Sequence, residues 1–255
     1  MTAICGDQNA AIFGAGTLSP DSALVNFGSG AFILSPLKNY RQSDKLLNTI
    51  ALSEHNRILF SREGTVNGAG SAIDWLENRH SITDIWQQLP AWLDEIKQPP
   101  VFINTIGGLG SPWWNRDIDA EFYATADMTD RDGHHLSSPD LPMQAVAVIE
   151  SIVFLICNNL ELIRSEQPVS VLRVSGGLSQ LDGLCQKLAN LSGLKVERIN
   201  IRETTARGAA WLAAGRPEHW SDSGFKAFSP VNADALKERY ALFNKRLHEL
   251  LNQRA

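Results

Sequence analysis

The chain has 255 residues, of which 44% are hydrophobic and 20% charged, and its formal net charge is -5. Such a length and composition predict a soluble globular protein with room for one large domain or two small ones. The negative charge and the lack of any basic run argue against a nucleic-acid partner, because affinity for phosphate backbones rests on clustered lysine and arginine. Cys5, Cys157 and Cys185 stand apart without CxxC spacing, which favours a reducing compartment and neither a disulfide framework nor a zinc site.

Targeting signals are not recognisable in the sequence. The first residues lack the basic and apolar regions of a signal peptide. The most apolar stretch, SIVFLICNNL, is too short to cross a bilayer. We therefore expect a cytoplasmic protein with no membrane partner.

The first element in the chain raises a question about an aspartate. An apolar run from Thr2 to Cys5 has the pattern of a strand that ends at Gly6, and Asp7 follows where a helix could begin at Gln8. An acid at this place can cap the helix by accepting hydrogen bonds from the first free N–H groups. It can also be a catalytic carboxylate, since α/β proteins place their chemistry at the carboxyl ends of strands. The local residues alone favour the cap.

The next segments alternate between apolar runs and glycine-rich turns. The predicted elements are a hairpin over 24–34 around Gly28-Ser29-Gly30, a helix over 67–79, two short helices over 81–89 and 91–97 separated by Pro90, and a strand over 101–105. A glycine-rich loop with two tryptophans follows, and then a polar loop that carries His134 and His135. No acidic or thiol partner stands at a recognised spacing from these histidines, so we interpret them as solvated rather than metal-binding.

The second half of the chain has the most regular pattern. A helix over about 142–165 is apolar on most faces and should be buried. SVLRV, the following helix and LKVERI predict a βαβ unit with parallel strands. A further helix begins at Thr204 or Thr205 as its cap. Leu236, Tyr240, Phe243, Leu247 and Leu250 form a stripe at helical spacing, which favours a terminal helix docked on its own domain over a partner-binding helix.

Three glycine clusters, FGSG, GAGSAIDW and VSGGLS, suggest close approach of a ligand to the backbone. Glycine has no Cβ, so backbone N–H groups can turn toward an anion and a phosphate can come close. Neither the dinucleotide fingerprint nor the P-loop pattern is present. A nucleotide bound here would therefore use another architecture.

Taken together and in this order, seven segments resemble the FGGY carbohydrate kinases, the family of glycerol kinase and xylulokinase. The segments are GDQNAAIFG, NFGSGAFIL, EGTVNGAGSAIDWL, GGLGSPWW, VLRVSGGLSQLDGLCQKLANLSGLKVE, ETTARGAAWLAAG and the closing FSP…RY. The resemblance implies an α/β domain of the actin-like ATPase (ribonuclease H-like) fold, the second domain of such a kinase. Residues 1–20 would then resemble the end of the first domain, and 231–253 would include a C-terminal helix.

The resemblance also implies roles for particular residues. Asp7 would be the catalytic base that accepts the proton of the substrate hydroxyl, and it would hold Mg²⁺ through a water molecule. Gln8 and Phe32 would bind the sugar or polyol. The positions implied for binding ATP or ADP are Ser29, Gly30, Gly70, Asp74, Gly176, Gly177 and Leu181.

Three positions depart from the family pattern. Ser29 replaces a threonine but keeps the hydroxyl. Leu181 falls where glycerol kinase has an asparagine, so any adenine contact there must differ. Arg207 introduces a charge that the sequence does not explain.

The family has a further domain upstream of GDQ, and this sequence begins at the GDQ strand. We expect that the upstream half is either absent or a separate polypeptide, and that an uncovered cleft face would favour pairing with it or formation of a homodimer. The first functional hypothesis is the nucleotide-binding half of an ATP-dependent sugar or polyol kinase, inactive alone. The alternative is a non-catalytic pseudokinase remnant that binds nucleotide or a protein partner.

Overall fold

Two sheets carry the β-structure of the computed structural model, which describes residues 4–16, 19, 21–54, 57–123, 139–218 and 224–253. In chain order the strands are β1 (Ser22–Phe27), β2 (Ala31–Leu37), β3 (Leu47–Glu54), β4 (Arg57–Val66), β5 (Val101–Ile103), β6 (Glu121–Tyr123), β7 (Val171–Gly176), β8 (Lys195–Ile199) and β9 (Phe225–Phe228). Strands β5 and β6 form a small separate pair, and the other strands form one sheet in the order β3-β4-β2-β1-β7-β8-β9.

The main sheet is mixed in direction. Strands β1, β7 and β8 run parallel, whereas β2, β4 and β3 form an antiparallel meander beside β1, and β9 is antiparallel to β8. The predicted hairpin is confirmed, since β1 and β2 pair antiparallel around the Gly28–Gly30 turn. The predicted βαβ unit is confirmed as well, because a helix returns the chain from β7 to a parallel β8.

Helices cover both faces of the main sheet. They are α1 (Asp7–Gly14), α2 (Gly70–His80), α3 (Ile85–Glu95), α4 (Leu141–Glu166), α5 (Asp182–Ser192), α6 (Thr204–Ala213) and α7 (Asp234–Asn252), with a 3-10 turn over Gly177–Gln180. The larger core lies on the face that Val25 and Ile33 share with α2, α3, α4, α5 and α7. On the opposite face, Ala11 and Ile12 of α1 pack with Leu24 and Leu34.

Helix α4 is the central helix of the larger core. Among the described residues it is the one helix long and apolar enough to cross a membrane, and most of its apolar residues are buried inside the domain. Glu150 on this helix is 1% exposed and is bound by Arg239 of α7, with both contacts at 2.7 Å, and by Lys187 of α5 at 2.8 Å. Burial alone would raise the pKa of Glu150, but the two cations outweigh it and hold this pKa below its usual value. The three charges therefore join three helices of the core.

Two local predictions were wrong. The segments proposed as two helices around Pro90 form one helix, α3, with the proline inside it. Pro90 lies on the exposed side of the helix, while Leu89 and Trp92 are buried in the core and hold the helix together. Helix α6 begins at Thr204, so Glu203 takes the cap position and neither Thr204 nor Thr205 is the cap. The Thr204 hydroxyl donates to Ser175 Oγ.

The terminal elements match their predictions where the structure describes them. Leu236, Phe243 and Leu247 of α7 are buried against the domain, so the apolar stripe docks on its own chain. The predicted strand at Thr2–Cys5 lies partly outside the described residues, and Ile4 and Cys5 are not in a strand. His134 and His135 also lie outside the described residues.

Candidate functional site

Helix α1, which begins with Asp7, makes direct backbone contact with α6. A Cβ added to Gly14 would stand 1.7 Å from the carbonyl oxygen of Thr204, and one added to Gly208 would stand 1.8 Å from that of Ala10. Only glycine permits this approach, because any side chain would overlap backbone atoms of the other helix. The pair of glycines therefore fixes where α1 lies on the sheet, and with it the position of Asp7.

Two arginines bind the carboxyl end of α1. Arg207 donates from Nη1 to the carbonyl oxygen of Gly14 at 3.3 Å, and Arg173 donates from Nη1 to that of Ala15 at 3.1 Å. The last carbonyls of a helix lack intrahelical donors and carry partial negative charge, so guanidinium groups stabilise them. This contact explains Arg207, the charge that the sequence leaves unexplained.

The first turn of α1 does not use Asp7 as its cap. The helix begins at Asp7 and Gly6 takes the cap position, so Asp7 is not the cap residue. Its Oδ1 accepts a hydrogen bond from the Gln8 backbone N–H at 2.9 Å, and the side chain is otherwise exposed. The positive end of the helix dipole favours an acidic side chain at this place, and its exposure leaves the carboxylate accessible to a ligand.

A chain of side-chain hydrogen bonds ties this turn to the sheet. Thr49 on β3 donates from Oγ1 to Oδ1 of Asn9 at 3.2 Å, and its hydroxyl lies 2.7 Å from that of Ser61 on β4. The amino end of α1 is thus held over the strands β3 and β4.

The hairpin turn and the start of α2 form one unit. Gly28 accepts a hydrogen bond from the Gly70 N–H at 3.1 Å, and Ser29 accepts from the N–H groups of Ala69 and Ser71 at 2.9 and 3.0 Å. A Cβ on Gly70 would stand 2.9 Å from the Gly28 carbonyl oxygen, so glycine is required for this approach. Ser29 itself is exposed, as is Asp74, which lies one turn after Gly70 on α2.

The second glycine pair lies beside the same turn. Gly176 pairs with Phe27 in the parallel ladder, has φ 86°, and a Cβ on it would stand 2.0 Å from the Phe27 carbonyl oxygen. Gly177 opens the 3-10 turn, and a Cβ there would meet nothing within 4 Å. Because Gly28 directly follows Phe27, the carboxyl ends of β1 and β7 bring the two glycine segments to one edge of the sheet, with open space at Gly177.

The predicted nucleotide-binding residues are therefore mostly gathered together. The predicted positions that lie at this edge are Ser29, Gly30, Gly70, Asp74, Gly176 and Gly177. Leu181 differs, because its side chain is 7% exposed and belongs to the core. Only the backbone of Leu181 is left for a contact with a ligand. Phe32 is half-buried on β2, on the face that α1 covers.

A polar network that the sequence did not reveal lies under this edge. The Thr204 hydroxyl donates to Ser175 Oγ at 3.0 Å, and Ser175 Oγ donates to Asn26 Oδ1 at 3.0 Å. Ser175 directly precedes the glycine pair, and Thr204 is the first residue of α6. The network joins β1, β7 and α6 on the face that carries Phe32.

Glu63 on β4 is another acid whose carboxyl is affected by the charge of Asp7. The sequence motifs did not single it out. It is 8% exposed. Burial raises the pKa of this carboxyl, and the charge of Asp7 raises it further. Its position at the start of EGTVNGAGSAIDWL, a segment that resembles the FGGY family, is the feature of the sequence that could have identified it.

The described residues fit a nucleotide better than a complete metal site. Gly177 leaves room for a ligand beside the turn. Within the described ranges no group of three or more His, Cys, Asp or Glu side chains could hold a metal ion. Mg²⁺ commonly uses one or two protein carboxylates together with substrate phosphates, and Asp7 could supply one of these.

A family model decides the classification. The model described as the C-terminal domain of the FGGY family of carbohydrate kinases matches residues 23–215. The chain belongs to the FGGY family of carbohydrate kinases. The resemblance drawn from the seven segments is thereby confirmed.

Curated relatives place this FGGY chain beside glycerol kinases. It is 30% identical over 228 residues to the glycerol kinase of Rippkaea orientalis, covering 87% of this chain and 44% of that protein. It is 31% identical over 219 residues to the glycerol kinase of Thermococcus gammatolerans, covering 84% of this chain and 42% of that protein. The chain thus spans less than half the length of these relatives.

Solved structures share the fold of this FGGY domain. The glycerol kinase of Plasmodium falciparum with ADP matches with a TM-score of 0.77 at 22% identity, covering 96% of this chain and 50% of that one. The xylulose kinase of Lactobacillus acidophilus matches with a TM-score of 0.76 at 18% identity, covering 95% and 50%. The expected α/β domain of the actin-like ATPase fold is confirmed. The family match and the curated glycerol kinases give the pseudokinase alternative no support.

Proposed function

We propose that this chain is the nucleotide-binding half of an ATP-dependent carbohydrate kinase that transfers the γ-phosphate to a hydroxyl group of a sugar or polyol. The observation that carries the proposal is the meeting of three glycine segments at one edge of a sheet that also holds, over β3 and β4, the first turn of the helix that begins with Asp7. Family membership and the likeness to glycerol kinases support the reaction class.

In this proposal the nucleotide lies along the glycine segments. Gly177 gives it open space, Gly70 lets it approach the start of α2, and the Ser29 hydroxyl faces the terminal phosphate. The positive end of the α2 dipole favours the phosphate charge. Mg²⁺, when bound through Asp7, would neutralise part of that charge.

Asp7 is the proposed base. Phosphoryl transfer has a loose transition state, so the protein mainly positions groups and stabilises charge. The Asp7 carboxylate, exposed at the head of α1, orients the attacking hydroxyl and accepts its proton. Gln8 and Phe32 bind the remaining part of the acceptor alcohol.

The remaining part of the kinase is the upstream half. We propose that a first domain, supplied by a separate polypeptide or another part of the same protein, closes the cleft over this site in the cytoplasm. Without it the phosphate is bound from one side, so we expect ADP affinity near millimolar, about 4 kcal/mol.

Calorimetric titration of the chain with ADP tests the nucleotide site. Gly177→Ala should fold normally, because its Cβ meets no protein atom, yet it should abolish the measured heat by filling space that the ligand needs. Gly193→Asn is the matched control, since Gly193 also has open space around it, has φ 68° that Asn tolerates, and lies at the other end of α5. Absence of heat with the unmodified chain would refute the nucleotide site.

Turnover of the chain combined with its upstream half tests the base. Asp7→Asn should keep the melting temperature, because asparagine can still accept the Gln8 N–H and Gly6 remains the cap. Loss of the base should lower kcat by about 10²–10⁴-fold. Equal turnover of both forms would remove Asp7 from the mechanism.

A further inference from the structure

Two polar side chains on β4 lie on the same face as the proposed active site. Thr65 stands directly opposite Phe32, and Glu63 directly opposite Leu34, in the antiparallel pairing of β2 and β4. Directly opposite residues point to the same face of a sheet. Leu34 packs with Ala11 of α1 on that face, so Glu63 and Thr65 lie on the side of the sheet that carries Asp7.

Thr65 has a hydroxyl without a partner. It is 9% exposed, and in the described part of the chain its Oγ1 is the one buried side-chain polar atom that makes no hydrogen bond. Its backbone N–H is satisfied by Ser111 Oγ at 2.6 Å, so only the side chain is left without one. A buried hydroxyl without a partner destabilises the fold, and a hydrogen bond to a bound ligand would recover this cost.

Glu63 lacks a protein partner too. No hydrogen bond or ion pair reaches its carboxylate from the described residues. The contrast is Glu150, a more deeply buried acid that is bound by Arg239 and Lys187. Glu63 is nearly as enclosed, but no described cation or hydrogen-bond donor binds it.

The chemistry of the pair selects a neutral hydroxyl group. A carboxylate accepts a hydrogen bond from an alcohol and repels a phosphate, and a threonine hydroxyl can both donate and accept. Phe32 beside them offers an apolar wall to a carbon skeleton. The first turn of α1, which begins with Asp7, is tied through Thr49 to Ser61, and Ser61 lies two residues before Glu63 on β4 and so on the same face. Asp7 and Glu63 therefore lie over neighbouring parts of one face of the sheet.

We propose that Glu63 and Thr65 form a subsite that binds a hydroxyl group of the acceptor polyol other than the one that Asp7 deprotonates. This inference rests on the proposed kinase function. It makes Glu63 and Thr65 positioning residues, which select an acceptor with at least two hydroxyl groups over a monohydric alcohol.

Titration of the chain with glycerol, followed by NMR chemical shifts, tests the subsite. Glu63→Gln and Thr65→Val keep side-chain shape and should each weaken glycerol binding about tenfold or more, while ADP affinity stays within about twofold of the unmodified chain. Glu197→Gln is the matched control, because Glu197 is also 8% exposed on the same sheet but is paired with Arg173 and Lys195. It should leave glycerol binding unchanged.

The outcomes separate this inference from the proposed function. Glycerol affinity within twofold of the unmodified chain in both folded variants would overturn the subsite, as would ADP binding with no glycerol binding at all. Failure to bind ADP would refute the kinase proposal itself. In the complete kinase, Glu63→Gln should raise KM for glycerol with little change in KM for ATP, whereas a merely structural role would change both together or neither.

Discussion

The contact between α1 and α6 predicts a large effect from one added methyl group. In Gly208→Ala the new Cβ would lie 1.8 Å from the Ala10 carbonyl oxygen, while ordinary contact begins at 3.4 Å, so α1 must retreat by about 1.6 Å. Overpacking of this kind costs about 1–3 kcal/mol, and we take the upper end, about 3 kcal/mol, because the atoms in the way are rigid helix backbone. Alanine gains about 1 kcal/mol of helix propensity over glycine, which leaves an expected loss near 2 kcal/mol.

The displacement of α1 should lower the turnover of the complete kinase without lowering ADP affinity. Asp7 moves with its helix, and a misplacement of about 1 Å can cost about 10²-fold in rate. The glycine segments at the β1 and β7 edge are not part of this contact, so ADP affinity should be retained. We therefore expect lower turnover in the complete kinase with nearly normal ADP binding.

Urea denaturation measures the stability change. Gly208→Ala should lower the midpoint by about 0.5–1 M. Ala209→Gly is the matched control on the same helix, because Ala209 is exposed and loses about 1 kcal/mol of propensity without any clash. A Gly208→Ala protein as stable as the unmodified chain would refute the reasoning that this glycine sets the distance between the helices.

Three further predictions concern buried charge and the glycine turn. Arg239→Met leaves the Glu150 carboxylate with one cation and should cost about 3–5 kcal/mol at pH 7 in denaturant unfolding. Because the pKa of Glu150 is lowered in the fold, its contribution is present above the usual value near 4.5 and declines as acid lowers the pH below it. The pKa of Glu63 is raised, so its ionisation destabilises the fold as pH rises past 4.5, and Glu63→Gln should raise the melting temperature more at pH 7 than at pH 4; an equal change at both values would contradict this. Gly176→Ala should destabilise strongly, whereas Gly177→Ala should not, since a Cβ overlaps Phe27 only in the first case; equal melting temperatures would show that the turn tolerates a side chain at both positions.

The sequence by itself determined the elements that depend on local periodicity. The hairpin around Gly28–Gly30, the buried helix α4 and the unit formed by β7, α5 and β8 all follow from hydrophobic patterns and turn residues close together in the chain. The order of the motif segments also identified the family, because each segment preserves local chemistry that does not need the fold to be recognised.

Tertiary structure decided the points where distant residues meet. Pro90 remains inside α3 because burial of neighbouring side chains outweighs one lost hydrogen bond, a balance that local propensity does not contain. Arg207 is explained only by its hydrogen bond to the carbonyl oxygen of Gly14, which precedes it by 193 positions in the sequence. Leu181 matched a nucleotide-binding position in the sequence, but its side chain lies in the core.

In the candidate site, too, the sequence motifs identify residues, whereas only the fold shows which of them meet. Asp7 and the three glycine segments could be named from motifs, yet only strand pairing brings Phe27 beside Gly176 and so joins segments about 150 residues apart. The meander of β2 and β4 likewise turns Glu63 and Thr65 toward the face of α1, where the buried Thr65 hydroxyl meets no partner among the described residues. Residue type and local period are properties of neighbours along the chain. Burial, pairing and charge proximity are properties of neighbours in space, and they arise only when the whole sheet has formed.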